Sequence, residues 1–447
     1  MEVQPSGYTS RMMTGAEFGL TPETTIRDSL YDLVPLSAEA SALLATAPML
    51  RLDGIQQLGF VSRVWPGARH SRLEHSLGVM HLMREALIQL RMRGVAFDDE
   101  AARTGIAAAL LHDVGHYPFS HAIEELGDPV QSHEAVGRRL ILDDELARIL
   151  GSRWGVRPER VTDLIDPPGT GIDPRDRVAG QLLSGPLDVD KLDYLPRDAR
   201  ACAVPYGGVD TARLLGALVD IELPGGRVLG IDHKGISPMH SLLNARQEMF
   251  DNVYWHHTNR ACMAMLLRAV QDALDCGLSP LDLSGFADVS LLERLSAVDM
   301  PESTRRLVAG LRERRFHKRA IEISSRASDL YAYLSGLFAS PPRRRELERR
   351  MVEVVTDTTG TRLHDGDILI DIPKPEKWRS TLWVRFAHPP VGLRGTMSWH
   401  DVTGIGESSL STYEHHRRLV RIVATAPARE QVREHWQAAI YPLLGSV

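Results

Sequence analysis

Cysteine is scarce in this chain. The three present, Cys202, Cys262 and Cys276, stand far apart and in no metal-binding or redox spacing. A disulfide framework is not expected, and a reducing cytoplasm is the expected compartment. Long apolar runs are missing as well. The stretch Ile106–Leu111 falls far short of the roughly 20 apolar residues that span a bilayer, so no membrane partner is expected. The opening residues MEVQPSGYTSRMM lack the apolar core of a secretion signal. An excess of positive charge is absent too: the formal net charge is −6 and the pI is near 6.3. A dedicated nucleic-acid binder would be basic, so such a partner is not indicated. Any grip on phosphate has to come from local Lys, Arg and His.

What is present is 447 residues, 43% hydrophobic and 25% charged. That is enough to bury a large core and to form more than one lobe. Helical periodicity dominates. It predicts helices over 36–50 and 74–93, and a third that starts at Asp98–Asp99, runs through AARTGIAAALLHD and stops near Gly115. Apolar residues surround this third helix on nearly all sides, so it should lie buried at the centre. Residues 166–176, DPPGTGIDPRD, read as a loop. Helical pattern resumes at 177–202, 210–220 and, as one long helix, 237–276. A hairpin is expected near 221–233 around Pro-Gly-Gly. The last third mixes helices at about 288–315 and 327–356 with strands at about 367–373, 380–386 and 418–424. The run RRRELERR, residues 343–350, reads as a solvated helix face. The expected fold is mainly α: a helical catalytic body over residues 1–280, its core at about 70–200, then a smaller α+β region over 281–447.

The chemistry concentrates in three stretches. SRLEHSLGV at 71–79 holds Arg72 and His75. HDVGHYPFSH at 112–121 opens with His112 and Asp113. LDVDKLDYLPRD at 187–198 holds Asp190. A His-Asp pair ending a buried helix is costly unless opposite charge and hydrogen bonds compensate it. A divalent cation does so, and imidazole with carboxylate is a ligand set suited to Mn, Fe, Co, Ni or Zn. Gly115 should let the chain turn there and open the pair to a cleft.

A His, a His-Asp pair and a distant Asp, in that order and each at a helix edge, resembles the HD-domain deoxynucleoside triphosphate triphosphohydrolases. This group includes bacterial enzymes and the animal enzyme that joins a SAM domain to an HD domain. The resemblance runs from about residue 25 to 270. It implies one divalent metal held by His75, His112, Asp113 and Asp190, with Mg as a further companion of the nucleotide. It implies triphosphate contacts from Arg72, Lys191, Tyr194 and Arg246. His121 falls on the catalytic His, with Glu124 in place of the orienting Asp. His116 and His133 are further candidates for proton transfer, although His133-Glu134 could equally cap the next helix. Gln57 and Leu58 match residues against the deoxyribose, Asp198 one that bonds the 3′-hydroxyl, and Tyr254 one that crowds the 2′ position.

Departures from the family matter. Trp255 and Phe250 stand where the animal enzyme has Gln and His near the base. Ala45, Leu50 and Asp53 stand where its guanine-nucleotide activator site has Asp, Gln and Arg. Base preference therefore does not transfer, and that activator site is expected to be absent or different. The resemblance also implies a homo-oligomer, a dimer or tetramer, and a small-molecule nucleotide substrate. Three functions compete: a dNTP triphosphohydrolase, an HD nucleotide or phosphomonoester phosphatase, and a nucleotide-sensing or nucleic-acid-binding regulator with little turnover.

Overall fold

The computed structural model describes residues 17–374 and 382–444. The opening stretch read above for a secretion signal lies outside them, as do the first two positions of the strand expected at 380–386. The fold is mainly α, with a smaller α+β region toward the C-terminus. It opens on a hairpin, β1 (Pro22–Asp28) and β2 (Asp32–Ser37), which helical periodicity did not announce. The Asp28 carboxylate closes its turn, accepting from the Leu30 and Tyr31 amides at 2.7 and 3.0 Å. The helix expected at 36–50 is two short ones, Ala38–Leu44 and Ala47–Arg51. Pro48 fits the first turn of the second and could not sit inside a continuous helix.

The centre of the body is built from α1 (Arg72–Met92) and α2 (Asp99–Leu111). Asp98 caps α2 by accepting from the Ala101 amide at 2.7 Å. From Ala101 to Leu111 every residue of α2 except Arg103 is buried, so the all-round apolar pattern does mark a central helix. Around it lie α3 (His133–Ile141), α4 (Pro158–Ile165), α5 (Arg177–Ser184) and α6 (Val189–Cys202). The helix expected at 177–202 breaks between α5 and α6 at Gly185-Pro186, and Asp188 caps the new start.

The short helix Thr211–Ala217 gives way at Leu218 to β3 (Leu218–Leu223), which pairs with β4 (Gly226–Asp232) across the Pro224-Gly225 turn. The helix expected at 237–276 is α7 (Ile236–Met249), a wide turn at Phe250–Tyr254, and α8 (His257–Asp275). The break is stabilised locally. The Asn259 amide donates to the Tyr254 carbonyl at 2.9 Å, and the His256 ring accepts from the Thr258 amide.

Beyond residue 280 come α9 (Asp288–Leu295) and α10 (Glu302–Arg312), so the helix expected at 288–315 is also two. A three-stranded antiparallel sheet follows, ordered β5 (Lys318–Ile323), β9 (Val420–Ala424), β6 (Ile368–Asp371). It packs against α11 (Pro341–Thr359) and α12 (Arg429–Leu444) in a core of its own. β7 (Trp383–Arg385) and β8 (Thr396–Ser398) instead return to the body, where β7 pairs parallel with β4. In α11 the run 343–350 is solvated on one side only. Arg344, Leu347 and Glu348 are buried, and Glu348 accepts from the Ile370 amide and from Arg268. Arg260 of α8 ties the two regions together with bonds to Glu125 and Asp371. Among the described residues no helix is long and apolar enough to cross a membrane.

Candidate metal centre and active site

Three helix ends meet at one point. α1 contributes His75 from its first turn, α6 contributes Asp190 from its first turn, and the C-terminal end of α2 contributes His112 and Asp113. The positive end of the α6 dipole favours the Asp190 carboxylate where it stands. The ligand atoms converge. His75 Nε2 is 3.0 Å from Asp190 Oδ1 and 3.8 Å from Asp113 Oδ2. His112 Nε2 is 3.3 Å from Asp113 Oδ1 and 3.9 Å from Asp190 Oδ1.

The opposite ring nitrogens are already committed. His75 Nδ1 lies 2.7 Å from Asp193 Oδ2, and His112 Nδ1 lies 2.8 Å from the Ala109 carbonyl. With Nδ1–H donating in each ring, both Nε2 lone pairs face inward. Among the described residues the buried His112 Nε2 has no hydrogen-bond partner, which is costly unless a cation takes it up. Asp193 is fixed in turn by Arg197, at 2.9 Å to each oxygen, and by the Tyr31 hydroxyl at 2.9 Å.

The electrostatics demand positive charge here. Burial alone would lower the His75 imidazole, yet Asp190, Asp193 and Asp113 outweigh it and lift it to about 10. Burial would raise Asp190, but His75 and His112 hold it at about 2. Burial likewise opposes ionisation of Asp113, and the Arg72 guanidinium, His112 and His116 depress it well below the carboxylate range. His75, His112 and Asp113 lie close enough together to hold a divalent cation, and Asp190 stands beside them.

Arg72 is buried and committed. It bonds Asp113 Oδ2 and, through Nε at 2.9 Å, Ser120 Oγ, so it buttresses a ligand from behind. Lys191 pairs with Asp188, and Arg246 bonds Tyr194 and stacks over Phe250. Lys191 and Arg246 line a cavity of about 270 Å³ together with His112, His133, Glu134 and Asp190, and Leu164, Ile165 and Leu183 form its apolar side.

A second cluster gathers His116, His121 and His133 around Glu124. Glu124 Oε1 is 2.8 Å from His133 Nδ1, whereas His121 Nδ1 stands 3.7 Å from Oε2. The i,i+3 pairing of His121 with Glu124 is thus looser than the bond to His133. His116 is fully buried and stacks on His133 at 3.8 Å. Burial and the Arg72 and His133 charges keep the His116 ring well below its ordinary value. For His133 burial is overcome by Glu124, which raises it. Ser132, not His133, caps α3. Gly115 matters as a point of close approach rather than as a turn, because a Cβ there would collide with the His133 carbonyl and the Gly137 amide of α3.

The expected sugar residues are not among that cavity's walls. They form a separate polar chain. Asp198 is buried, with Oδ1 at 2.7 Å from His70 Nε2 and Oδ2 accepting from the Tyr254 hydroxyl at 2.7 Å. The Gln57 amide N–H donates to the His70 carbonyl at 3.0 Å, and its buried side-chain oxygen has no hydrogen-bond partner among the described residues. Leu58 is half-buried against the body core. Phe250, Tyr254 and Trp255 pack ring to ring. Leu50 and Asp53 are exposed, while Arg51 between them turns inward to the Val114, His116 and Phe286 carbonyls.

Sequence reasoning missed His70, Arg51 and Asp193 as supporting groups. Asp193 carried a signal, since it stands one helical turn after Asp190 in DVDKLD. His70 and Arg51 carried none, because their partners are 128 and 65 residues away.

A family model for the HD domain matches residues 72–176, and one for an HD-associated region matches 209–388. An uncharacterized protein of Methanocaldococcus jannaschii is 34% identical over 60% of this chain and 54% of its own length. An uncharacterized protein of Bacillus subtilis is 32% identical over 52% and 51%. The deoxynucleoside triphosphate triphosphohydrolase SAMHD1 homolog of Dictyostelium discoideum is 28% identical over 67% and 60%. The chain thus spans about half the length of the curated relatives it matches. A crystal structure of a hypothetical protein from Aquifex aeolicus superposes with a TM-score of 0.69 at 23% identity, covering 92% of this chain and 99% of that one, and so shares the fold. The His75, His112 and Asp113 cluster falls inside the HD match and Asp190 lies between the two matches, so the chain is similar to proteins in which an HD domain is followed by an HD-associated region.

Proposed function

We propose that this protein is a metal-dependent phosphohydrolase that cleaves deoxynucleoside triphosphates to a deoxynucleoside and tripolyphosphate. The observation that carries the reading is the convergence of His75, His112, Asp113 and Asp190 beside a cavity walled by Lys191 and Arg246. His75, His112, Asp113 and Asp190 would hold a divalent cation, which would supply Lewis-acid charge for a phosphate oxygen and for the attacking water. In the net reaction water adds at the α-phosphorus, the bond to the 5′ oxygen breaks, and that oxygen takes up a proton.

Each residue has a place in this reading. Asp193 and the Ala109 carbonyl orient the two imidazoles, and Arg72 holds Asp113. Lys191 and Arg246 neutralise the charge growing on phosphate oxygens, where a donor in a water-poor site is worth most. Tyr194 orients Arg246. His121 and His133, bridged by Glu124, hold a proton for the leaving oxygen, and the neutral His116 packs them in place. Gln57, Leu58, Asp198 and Tyr254, which lie outside that cavity's wall, are the residues that the resemblance assigns to the sugar. The dNTP-hydrolysing relative supports the choice of substrate.

The test is a screen of purified protein against all dNTPs and NTPs with Mn, Mg, Fe and Co. The expected products are deoxynucleoside and tripolyphosphate. Release of orthophosphate alone would replace this reading with a phosphatase.

A further inference from the structure

The segment that carries His112, Asp113, His116 and His121 is not self-supporting. Phe119 and Ser120 are adjacent non-glycine residues with φ of 58° and 62°, a left-handed conformation that L side chains resist. Something outside the segment has to hold it.

That group is Asp288, the first residue of α9, which lies beyond the residues matched by the HD domain. Its Oδ1 accepts from the Phe119 amide at 2.7 Å and its Oδ2 from the Gln56 amide at 3.0 Å. The side chain is buried. Burial pushes its carboxyl up to about 6, opposed by these two N–H bonds and by the Arg72 guanidinium. With each oxygen accepting from an N–H, the geometry suits the carboxylate form. A buried carboxylate costs more than an apolar side chain of the same size, so its presence calls for these donors.

The contacts continue to the centre. Ser120 Oγ donates to the Gln56 and Gln57 carbonyls at 2.8 and 3.0 Å and accepts from Arg72, which bonds Asp113. Next to Asp288, Ala287 packs so close to Gly54 that a Cβ on Gly54 would lie 2.7 Å from the Ala287 Cβ. Arg51 adds bonds that tie Phe286 to the same loop, reaching the Phe286, Val114 and His116 carbonyls.

We propose that Asp288 is a positioning residue, through which the region following the HD domain clamps the left-handed Phe119–Ser120 turn and so sets the placement of His121. This rests on the reading of residues 112–121 as the catalytic loop. An amide cannot replace the carboxylate, because two backbone N–H groups face its two oxygens and Asn offers only one acceptor.

The experiment compares the full-length, metal-loaded wild type with D288N and G54A. The second variant leaves the carboxylate intact and pushes α9 away. Hydrogen exchange is followed by peptide, metal content is assayed, and kcat and KM are measured with the best nucleotide. In D288N exchange over 117–126 should rise by about tenfold, the consequence of losing one or two hydrogen bonds. Exchange over 72–92 and metal content should not move. The kcat should fall roughly 10- to 100-fold with KM nearly unchanged, as for a small misplacement of catalytic groups. G54A should shift both readouts the same way. Unchanged loop exchange in D288N, a rise spread evenly over the chain, or a loosened loop with unaltered kcat would each overturn the proposal. A wild type inactive on every nucleotide would sink the phosphohydrolase reading instead, and the exchange pattern would still decide whether Asp288 holds the loop.

Discussion

Two clusters of histidine and carboxylate lie on either side of Asp113, and they differ in how their charge is met. Asp113 Oδ1 is 3.3 Å from His112 Nε2 and 3.2 Å from His116 Nε2. In the first cluster each imidazole gives its Nδ1–H away, to Asp193 or to the Ala109 carbonyl. Its lone pairs then point together at two further carboxylates, and the set lacks positive charge. In the second cluster the carboxylate sits among the rings. Glu124 takes the His133 proton at 2.8 Å, and His116 stacks face to face on His133 at 14° between planes. The Glu124 charge is met inside the group, although the ligand atoms of the four residues also lie within 4.8 Å of one another. The lesson is that the hydrogen bond at the far ring nitrogen decides whether a histidine binds a cation or holds a proton.

The sharpest way to break this comparison is H112A combined with D113A. Metal content measured by elemental analysis and hydrolysis of any nucleotide should both vanish. Retention of full activity would end the assignment of the first cluster. Next in size, K191A and R246A should keep the metal and lose catalysis, by about 2–4 kcal/mol each if they act as comparable oxyanion donors do. Either one matching the wild type on its true substrate would remove that residue from the phosphate site.

E124Q separates the clusters most directly. Metal content should be untouched while kcat drops by roughly 10²-fold, within the range of general acid–base contributions. It also carries a pH signature. Burial works against a charged His133, yet Glu124 raises it above its ordinary value. The pair therefore contributes stability that is fully present below the unfolded histidine value of about 6.5 and is lost as pH rises through the raised folded value. Urea unfolding of wild type should weaken over that alkaline window, and E124Q should show no such loss. Parallel pH profiles for the two proteins would mean that Glu124 does not hold a proton on His133.

The smallest expected effect lies away from both clusters. GTP should leave steady-state hydrolysis of a single dNTP essentially unchanged. Leu50 and Asp53 are exposed, and Arg51 is turned inward to three carbonyls. Lost base contacts and a like-charge contact would each weaken a guanine-nucleotide activator by about 1–3 kcal/mol. Strong GTP activation that D53A alters would show that this segment does bind an activator.

How much was legible depends on how local the cause is. The cap at Asp98, the buried α2 and the Pro-Gly turn of β3–β4 rest on neighbours a few residues away, so periodicity and turn chemistry revealed them. The breaks at Thr46, Gly185 and Phe250 were read through, although Pro48 and Pro186 were visible. A strong apolar period on both sides masked them. The wide turn at Phe250–Tyr254 had no such marker. It depends on the Asn259 side chain reaching back to the Tyr254 carbonyl.

The order His75, His112-Asp113, Asp190 was readable because helix ends place such residues and their spacing is a linear property. The chain by itself therefore determined which donors are available and that they would sit at helix termini. Only the tertiary structure decided which ring nitrogen each imidazole gives away, that Arg72 turns from the cavity to Asp113, and that Asp288 reaches back 169 residues to the Phe119 amide. Most of these are choices between partners far apart in sequence. They are settled by which backbone donors and carboxylates burial brings within about 3 Å of one another, and no local pattern encodes that distance.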